Sequence, residues 1–361
     1  MQKNIKQLTF DELSSLVTEQ LNQPAYRAKQ LWQWLWIKNV QDFELMTNLP
    51  KQLRQTLAEN FYIPKVKIFS FVQSKIDFSI KYTFQLPDNL LIEGVLIPNH
   101  SKDRITACIS TQVGCAVGCK FCATGTMGLK RNLLAHEIYD HLWLLNQQSI
   151  EKFGKKLSNI VVMGMGEPLM NLENTLLALE IITDPKLGMN FSPQRITLST
   201  VGIVKKLYTL ADYKPKFNLA ISLHSAIQHK REQIIPISKT NTITKLIEAL
   251  KYYHKQTGQR ITFEYLMLGN FNDSVQDAKA LAQFTKNFPS KINLIEYNPV
   301  PFANFQKSNP NQVQQFINFL KNKNLVVTYR KSKGSDISAA CGQLVKNLSS
   351  VDHPTLNFKS I

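Results

Sequence analysis

The chain has 361 residues, 43% of them apolar and 19% charged, which fits a globular protein with one large α/β domain and a smaller companion. It carries 43 Lys and Arg against 26 Asp and Glu, a formal net charge of +17 that favours a polyanionic partner, unless the whole proteome is simply rich in Lys and Asn. No run of about 18 apolar residues is present, and MQKNIKQLTFDELSSL lacks the apolar core of a secretory signal, so the expectation is a cytoplasmic protein with no membrane partner.

In chain order, residues 8 to 60 carry helical periodicity with caps. Thr9 and Asp11 precede ELSSLVTEQL; PAYRAKQLWQWLW and LPKQLRQTL follow. Trp32, Trp34 and Trp36 read as packing residues by default, although with Arg27, Lys29 and Arg54 the module also suits RNA contact. FSIKYTFQL and LLIEGVLIP, joined at PDN, predict a β-hairpin. From Arg104 onward β-rich runs alternate with helical stretches: RITACIST, NIVVMGMG, RITLSTVGI, FNLAISLH, ITFEYLML, INLIEYNP and LVVTYR. Such alternation predicts parallel βα units, and GMGEP, LST, SLHS and YNP all fall at strand ends, where α/β folds place ligands.

Five cysteines, three of them within eight residues, do not form a disulfide framework in a chain of this size. GCAVGCKFCATG sets Cys115, Cys119 and Cys122 at a CxxxCxxC spacing with no obvious fourth partner. Structural zinc wants four ligands, and only Cys108 or His136 lies near enough in sequence to complete a set. A [4Fe–4S] cluster held by three thiolates leaves one iron open to another ligand. The remaining polar positions, read alone, suit caps and turns as well as contacts. Lys130 and Arg131, and Arg330, Lys331 and Lys333, flank this region and are candidates for phosphate contact or plain surface charge.

The cysteine triplet after a strand, followed by GMGEP in a βα series, resembles the radical S-adenosylmethionine (SAM) superfamily. That resemblance implies a partial (β/α)6 TIM-type barrel, and a cluster whose open iron binds SAM and cleaves it to a 5'-deoxyadenosyl radical. More narrowly, CISTQVGCAVGCKFCATG, GLKRNL, VVMGMGEPLMN, ITLSTVGI, SLHS, NLIEYNPVP and DISAACGQL resemble, in order and over most of residues 93 to 344, the RlmN/Cfr family of RNA adenine methyltransferases. Pro168 and Val113 match the C2-methylating branch rather than the C8-methylating one.

What the resemblance implies is specific. Cys115, Cys119 and Cys122 would hold the cluster, while Gly166, Glu167, Ser199, Ser222, Leu223, His224 and Asn298 would contact SAM. Cys341 would carry the methyl group, Glu93 would accept the proton, and Cys108 would resolve the adduct by forming a disulfide with Cys341. From the residues alone, Glu93 also reads as an exposed strand glutamate and Cys108 as a core thiol. The implied substrates are adenine 2503 of 23S rRNA and adenine 37 of some tRNAs, with two SAM consumed per methyl group. Electrons would come from a flavodoxin or ferredoxin, and the enzyme would act as a monomer. The implied organisation is a helical RNA-binding accessory domain over 1–85, the core barrel over 86–330 and a C-terminal segment over 331–361.

Overall fold

The structure, a computed structural model, describes residues 2–344. The segment expected at 331–361 is therefore described only as far as Leu344, and the rest lies outside the described residues. Ten strands follow one another across a single sheet in chain order. They are β1 (Lys67–Gln73), β2 (Ile80–Gln85), β3 (Leu91–Asn99), β4 (Arg104–Cys108), β5 (Asn159–Val162), β6 (Ile196–Thr200), β7 (Asn218–Ser222), β8 (Ile261–Gly269), β9 (Ser290–Glu296) and β10 (Val327–Arg330). The first four pair antiparallel, and β4 to β10 are parallel. The short strand Gln306–Lys307 adds antiparallel to β8. Parallel neighbours need a crossover, and helices supply it between strands from β4 onward: α1 (Ala135–Phe153), α2 (Leu172–Thr183), α3 (Val204–Tyr213), α4 (Ile243–Thr257), α5 (Val275–Thr285) and α6 (Pro310–Lys321).

The parallel strands alternate by residue. Ile196, Leu198, Leu219, Ile221, Phe263, Tyr265, Ile292 and Leu294 are buried in the main core. The intervening Thr197, Ser199, Ser222, Thr262, Glu264 and Asn293 occupy the opposite face. A sheet with apolar residues outward against helices and several polar residues inward is an open, partial barrel. The expected α/β barrel architecture is observed, with six parallel strands and a seventh, β10, extending the edge. The strand β1 (KIFSFVQ) and the ribbon pairing Gln112–Gly114 with Leu129–Asn132 go beyond the sequence expectation.

The N-terminal helices Phe10–Ser15, Tyr26–Trp32 and Lys51–Asn60 pack onto α1 and the α2 region. Trp32 and Trp36 are buried and stacked, with ring centroids 5.2 Å apart. Trp32 Nε1 donates to the Leu187 carbonyl at 2.7 Å, and the Tyr139 hydroxyl donates to the Trp36 carbonyl at 2.6 Å. These rings are packing residues. Arg27 and Arg54 donate to the Asn48 and Glu44 carbonyls of the same module. No helix among the described residues is long and apolar enough to cross a membrane.

Candidate active site

The loop between β4 and α1 carries the three clustered cysteines. Its base is the ribbon Gln112–Gly114 with Leu129–Asn132, and the close crossing there admits only glycine at position 114. That residue has φ +77°, and a methyl on it would sit 1.9 Å from the Gly128 carbonyl oxygen. Farther along, Cys122 N donates to Cys119 O at 3.2 Å and Gly125 N to Cys122 O at 3.0 Å. Cys115, Cys119 and Cys122 thereby line one cavity of about 140 Å³, shared with Gly166, Glu167, Ser199, Ser222, His224 and Cys341.

Burial pushes the thiols up: Cys115 to about 12, Cys119 well above its ordinary value, and Cys122 in the same direction, with mutual repulsion adding to Cys115 and Cys119. Three converging thiols of this kind favour a cationic inorganic centre, which deprotonates its ligands outright. Among the described residues no group of three or more His, Cys, Asp or Glu side chains is set to hold a single metal ion. A [4Fe–4S] cluster asks for a different arrangement, because each thiolate meets its own iron. His136, the histidine considered for a zinc set, is bonded to Asn4 on the far side of α1.

The strand ends form the opposite wall. Gly166 has φ +105°, and a methyl there would lie 2.6 Å from Gln112 Cβ. Glu167 is buried; its Oε1 accepts from Leu169 N at 2.9 Å and its Oε2 from Val201 N at 2.8 Å. Burial raises this carboxyl, and the bonds from Thr200, Val201 and Leu169 oppose the rise. Glu167 thus ties the end of β5 to the end of β6. Ser199 Oγ and Ser222 Oγ lie 3.2 Å apart. His224, in the left-handed region at φ +56°, accepts on Nδ1 from Leu266 N at 3.0 Å and meets the Phe121 ring edge-on. Burial and Arg231 push His224 down to about 3, so its imidazole is neutral. Leu223 and Asn298 are buried without lining the cavity; among the described residues Asn298 Oδ1 has no hydrogen-bond partner.

Cys341 stands at the mouth. It is open to solvent by surface area, yet the surrounding protein and then the Glu264 carboxylate push its thiol up. The segment carrying it is docked on the cysteine loop: Ala123 N donates to Gly342 O at 2.6 Å and Thr124 Oγ1 to Leu344 O at 2.6 Å. Cys108, buried at the end of β4, has its thiol raised by burial and next by Cys341, which places the two sulfurs within electrostatic reach. Both are free thiols in this structure. Glu93 lies on β3, where the Val95–Cys108 pairing sets it on the same face as Cys108, two residues along. It is buried rather than exposed, and Lys81 Nζ lies 3.2 Å from its Oε1. Neither Cys108 nor Glu93 lines the cavity itself.

Sequence reasoning overlooked several residues here. Arg231 is wholly buried and donates to the carbonyls of Leu223 (3.1 Å) and Val201 (2.6 Å) and to Ser238 Oγ (2.6 Å), locking the loops after β6 and β7. Asn272 Nδ2 donates to His224 O at 2.6 Å. In HKREQ and GNFND both look like surface residues, so no local signal marks them. Conversely, Arg131 forks onto Glu137 at 2.7 and 2.9 Å and reaches Asp88 at 2.6 Å, so its guanidinium is already engaged within the protein.

A partial barrel of parallel strands with a three-thiol loop after its first strand, facing a Gly-Glu turn after its second, defines the radical SAM class, and residues 109–283 match the family model of the Radical SAM superfamily. The [4Fe–4S] cluster and SAM are the cofactors of that class, and Cys115, Cys119 and Cys122 line one cavity. Residues 3–63 match the model of the ribosomal RNA large subunit methyltransferase N-terminal domain. A Cytophaga hutchinsonii protein described as "Probable dual-specificity RNA methyltransferase RlmN" is 46% identical over 342 residues, covering 95% of this chain and 92% of that one. A Thermotoga neapolitana protein of the same description is 43% identical, covering 95% and 97%. The solved radical SAM methyltransferase from Sphaerobacter thermophilus superposes with a TM-score of 0.87 at 39% identity, over 95% of this chain and 99% of that one. The chain belongs to the RlmN family of radical SAM RNA methyltransferases.

Proposed function

We propose that this protein methylates C2 of adenine 2503 in 23S rRNA and of adenine 37 in some tRNAs, in the cytoplasm, as a monomer supplied with electrons by a flavodoxin or ferredoxin. In the same reading, residues 1–85 form an RNA-binding accessory domain, 86–330 the catalytic barrel and 331–361 the segment bearing Cys341. One observation supports the reading most: Cys341, an exposed residue, lines the same cavity as the three clustered thiols.

Adenine C2 lies between two ring nitrogens and is too electron-poor to attack a methyl donor directly. The bound cluster and SAM supply the methyl group and the one-electron chemistry that activates it, two SAM being consumed for each methyl delivered. Cys341 offers a soft sulfur to accept the methyl at the cavity mouth, where RNA can also reach. Gly166, Glu167, Ser199, Ser222 and His224 line the cavity on the proposed SAM side, and Leu223 and Asn298, buried outside that lining, complete the proposed set of SAM contacts. Once carbon is joined to C2, the hydrogen originally on C2 must leave as a proton, and Glu93 is the carboxylate proposed to accept it. Lys81, 3.2 Å from Glu93, favours its ionised form. Cys108, once deprotonated, then attacks the Cys341 sulfur; an S–S bond forms, the S–C bond breaks with its electron pair left on carbon, that carbon takes up a proton to become the methyl group, and a cytoplasmic thiol reductant resets the pair.

The test uses anaerobically reconstituted protein, SAM, dithionite and fragments of 23S rRNA or tRNA. Wild type is expected to yield 2-methyladenine, Cys341→Ala none, and Cys108→Ala RNA covalently attached to protein. Detection of 8-methyladenine, or an active Cys341→Ala variant, rejects the reading.

A further inference from the structure

Glu264 has no part in the chemistry described so far. It lies on the inner face of β8, in register with Ser222 on one side and Asn293 on the other. It lines the cavity that holds Cys341, and only 3% of it is exposed. Oε1 accepts from Asn293 Nδ2 at 2.8 Å; among the described residues Oε2 has no hydrogen-bond partner. A buried carboxylate oxygen left open is costly and calls for a donor. The other polar groups of this wall are engaged: Glu167 with two backbone N–H groups, Ser199 with Ser222, and His224 Nδ1 with Leu266 N. Glu264 and Cys341 line the same cavity, and after burial the Glu264 charge is the strongest influence on the Cys341 thiol. Burial raises the Glu264 carboxyl overall, and Arg330, the bond from Asn293 and Lys291 oppose that rise.

Which donor enters a cavity whose mouth carries Cys341? The inference rests on the functional reading above, in which that sulfur meets C2 of an adenine. C2 lies between N1 and N3, both acceptors, which a carboxylate repels. The donor on that edge of the base is the exocyclic N6 amino group, next to N1. We propose that Glu264 Oε2 accepts a hydrogen bond from the N6 amino group of the target adenine and is a specificity-determining residue of this enzyme. Asn293 fixes the carboxylate through Oε1, leaving Oε2 to read the base.

The experiment compares two synthetic RNA stem-loops, one with adenosine and one with purine riboside at the target position; purine riboside keeps C2–H, N1 and N3 and lacks only the amino group. Methylation kcat/KM and stem-loop affinity are measured with reconstituted wild type, Glu264→Gln and Glu264→Ala, alongside SAM affinity. Wild type is expected to favour adenosine by about 10-fold or more, the range in which an unpaired buried group discriminates. Both variants should lose most of that preference. In Glu264→Gln the oxygen still accepts from Asn293, so its NH2 faces the adenine amino group and the adenosine RNA suffers more than the purine one. SAM affinity should change less than about 2-fold, well inside one hydrogen bond's worth. An adenosine-to-purine ratio unchanged in Glu264→Gln overturns the proposal, whatever the absolute loss. Loss of SAM affinity with that ratio intact also overturns it, assigning Glu264 to the cofactor. A wild type that methylates neither RNA rejects the functional reading instead, and the affinity comparison then still decides whether Glu264 reads the amino group.

Discussion

A methyl group at position 166 would lie 2.6 Å from Gln112 Cβ and 2.8 Å from the Gln112 backbone nitrogen, on a residue whose φ is +105°. Neither contact is with the far end of a flexible side chain, so the turn itself has to move. Glu167 follows immediately, and its carboxylate bonds hold the end of β5 to that of β6. Gly166→Ala is therefore expected to fold and to lose SAM affinity by about 10-fold or more, the effect of misplacing a contact by a few tenths of an ångström or more; equilibrium binding to the reconstituted variant checks it, and unchanged affinity contradicts it. At this scale the sequence is informative about glycines and cysteines, whose spacing is local, and silent about Glu264. In ITFEYLML that glutamate is merely one polar residue in a strand. Its meaning comes from Asn293, twenty-nine positions away, and from the cavity.

Among elements, β2 links two parts of the site. Lys81 lies 3.2 Å from Glu93 across the β2–β3 pair and donates to Ser338 O at 3.2 Å, in the segment leading to Cys341. Gly334 N donates to Asp77 just before the same strand. The antiparallel edge therefore positions both Glu93, the proton acceptor of the proposed reaction, and the loop of Cys341, the thiol proposed to carry the methyl group. Lys81→Met is expected to keep SAM affinity and to slow RNA methylation by about 10-fold or more in single-turnover assays, a fraction of what general-base catalysis contributes. Lys81→Arg should recover part of it; equal rates in wild type and Lys81→Met contradict the link. The hairpin of β2 and β3 is legible from its alternation and its PDN turn, whereas its service to Ser338 is not, because the bond spans 257 positions. The second tryptophan-rich helix ends differently from its periodicity: Lys38 N donates to Gln33 O at 2.9 Å, an i to i+5 turn. It lies where Trp36 packs against Tyr139 and the Trp36 carbonyl meets the Tyr139 hydroxyl.

Across the whole molecule, one continuous apolar cluster runs from Ile5 and Leu57 through the barrel to Leu344. A buried ion pair, Lys6 with Asp140, pins the N-terminal segment to α1 beneath Trp36. Two histidines inside this mass, His141 and His224, are pushed down to about 3 by burial, with Arg231 adding to His224. Among the described residues neither nitrogen of His141 has a hydrogen-bond partner, and Gly94 gives its ring room. Because the unfolded chain binds protons on these groups below about pH 6.5 and the folded chain does not, their contribution is complete above that pH and declines as pH falls toward 3. Each histidine is expected to lower unfolding free energy by about 1.4 kcal/mol per pH unit in that window. Urea midpoints of the wild type should fall between about pH 7 and pH 5, and His141→Leu should fall less steeply while being no less stable at neutral pH. Parallel slopes for the two proteins contradict this.

Local chemistry is what the sequence by itself determined: the cysteine triplet, the strand-helix alternation, the positions of strand ends and the family pattern all depend on neighbours within a few residues or on an ordered set of short motifs. Only the tertiary structure decided which polar residues work and which merely support, because that depends on partners brought together across the barrel. Arg131 proves to be engaged by Glu137 and Asp88, Arg231 proves to be buried, and Cys341 is docked against the cysteine loop more than two hundred residues before it. The physical reason is that a buried polar group must find its partner wherever the fold supplies one, and chain separation carries no information about that distance.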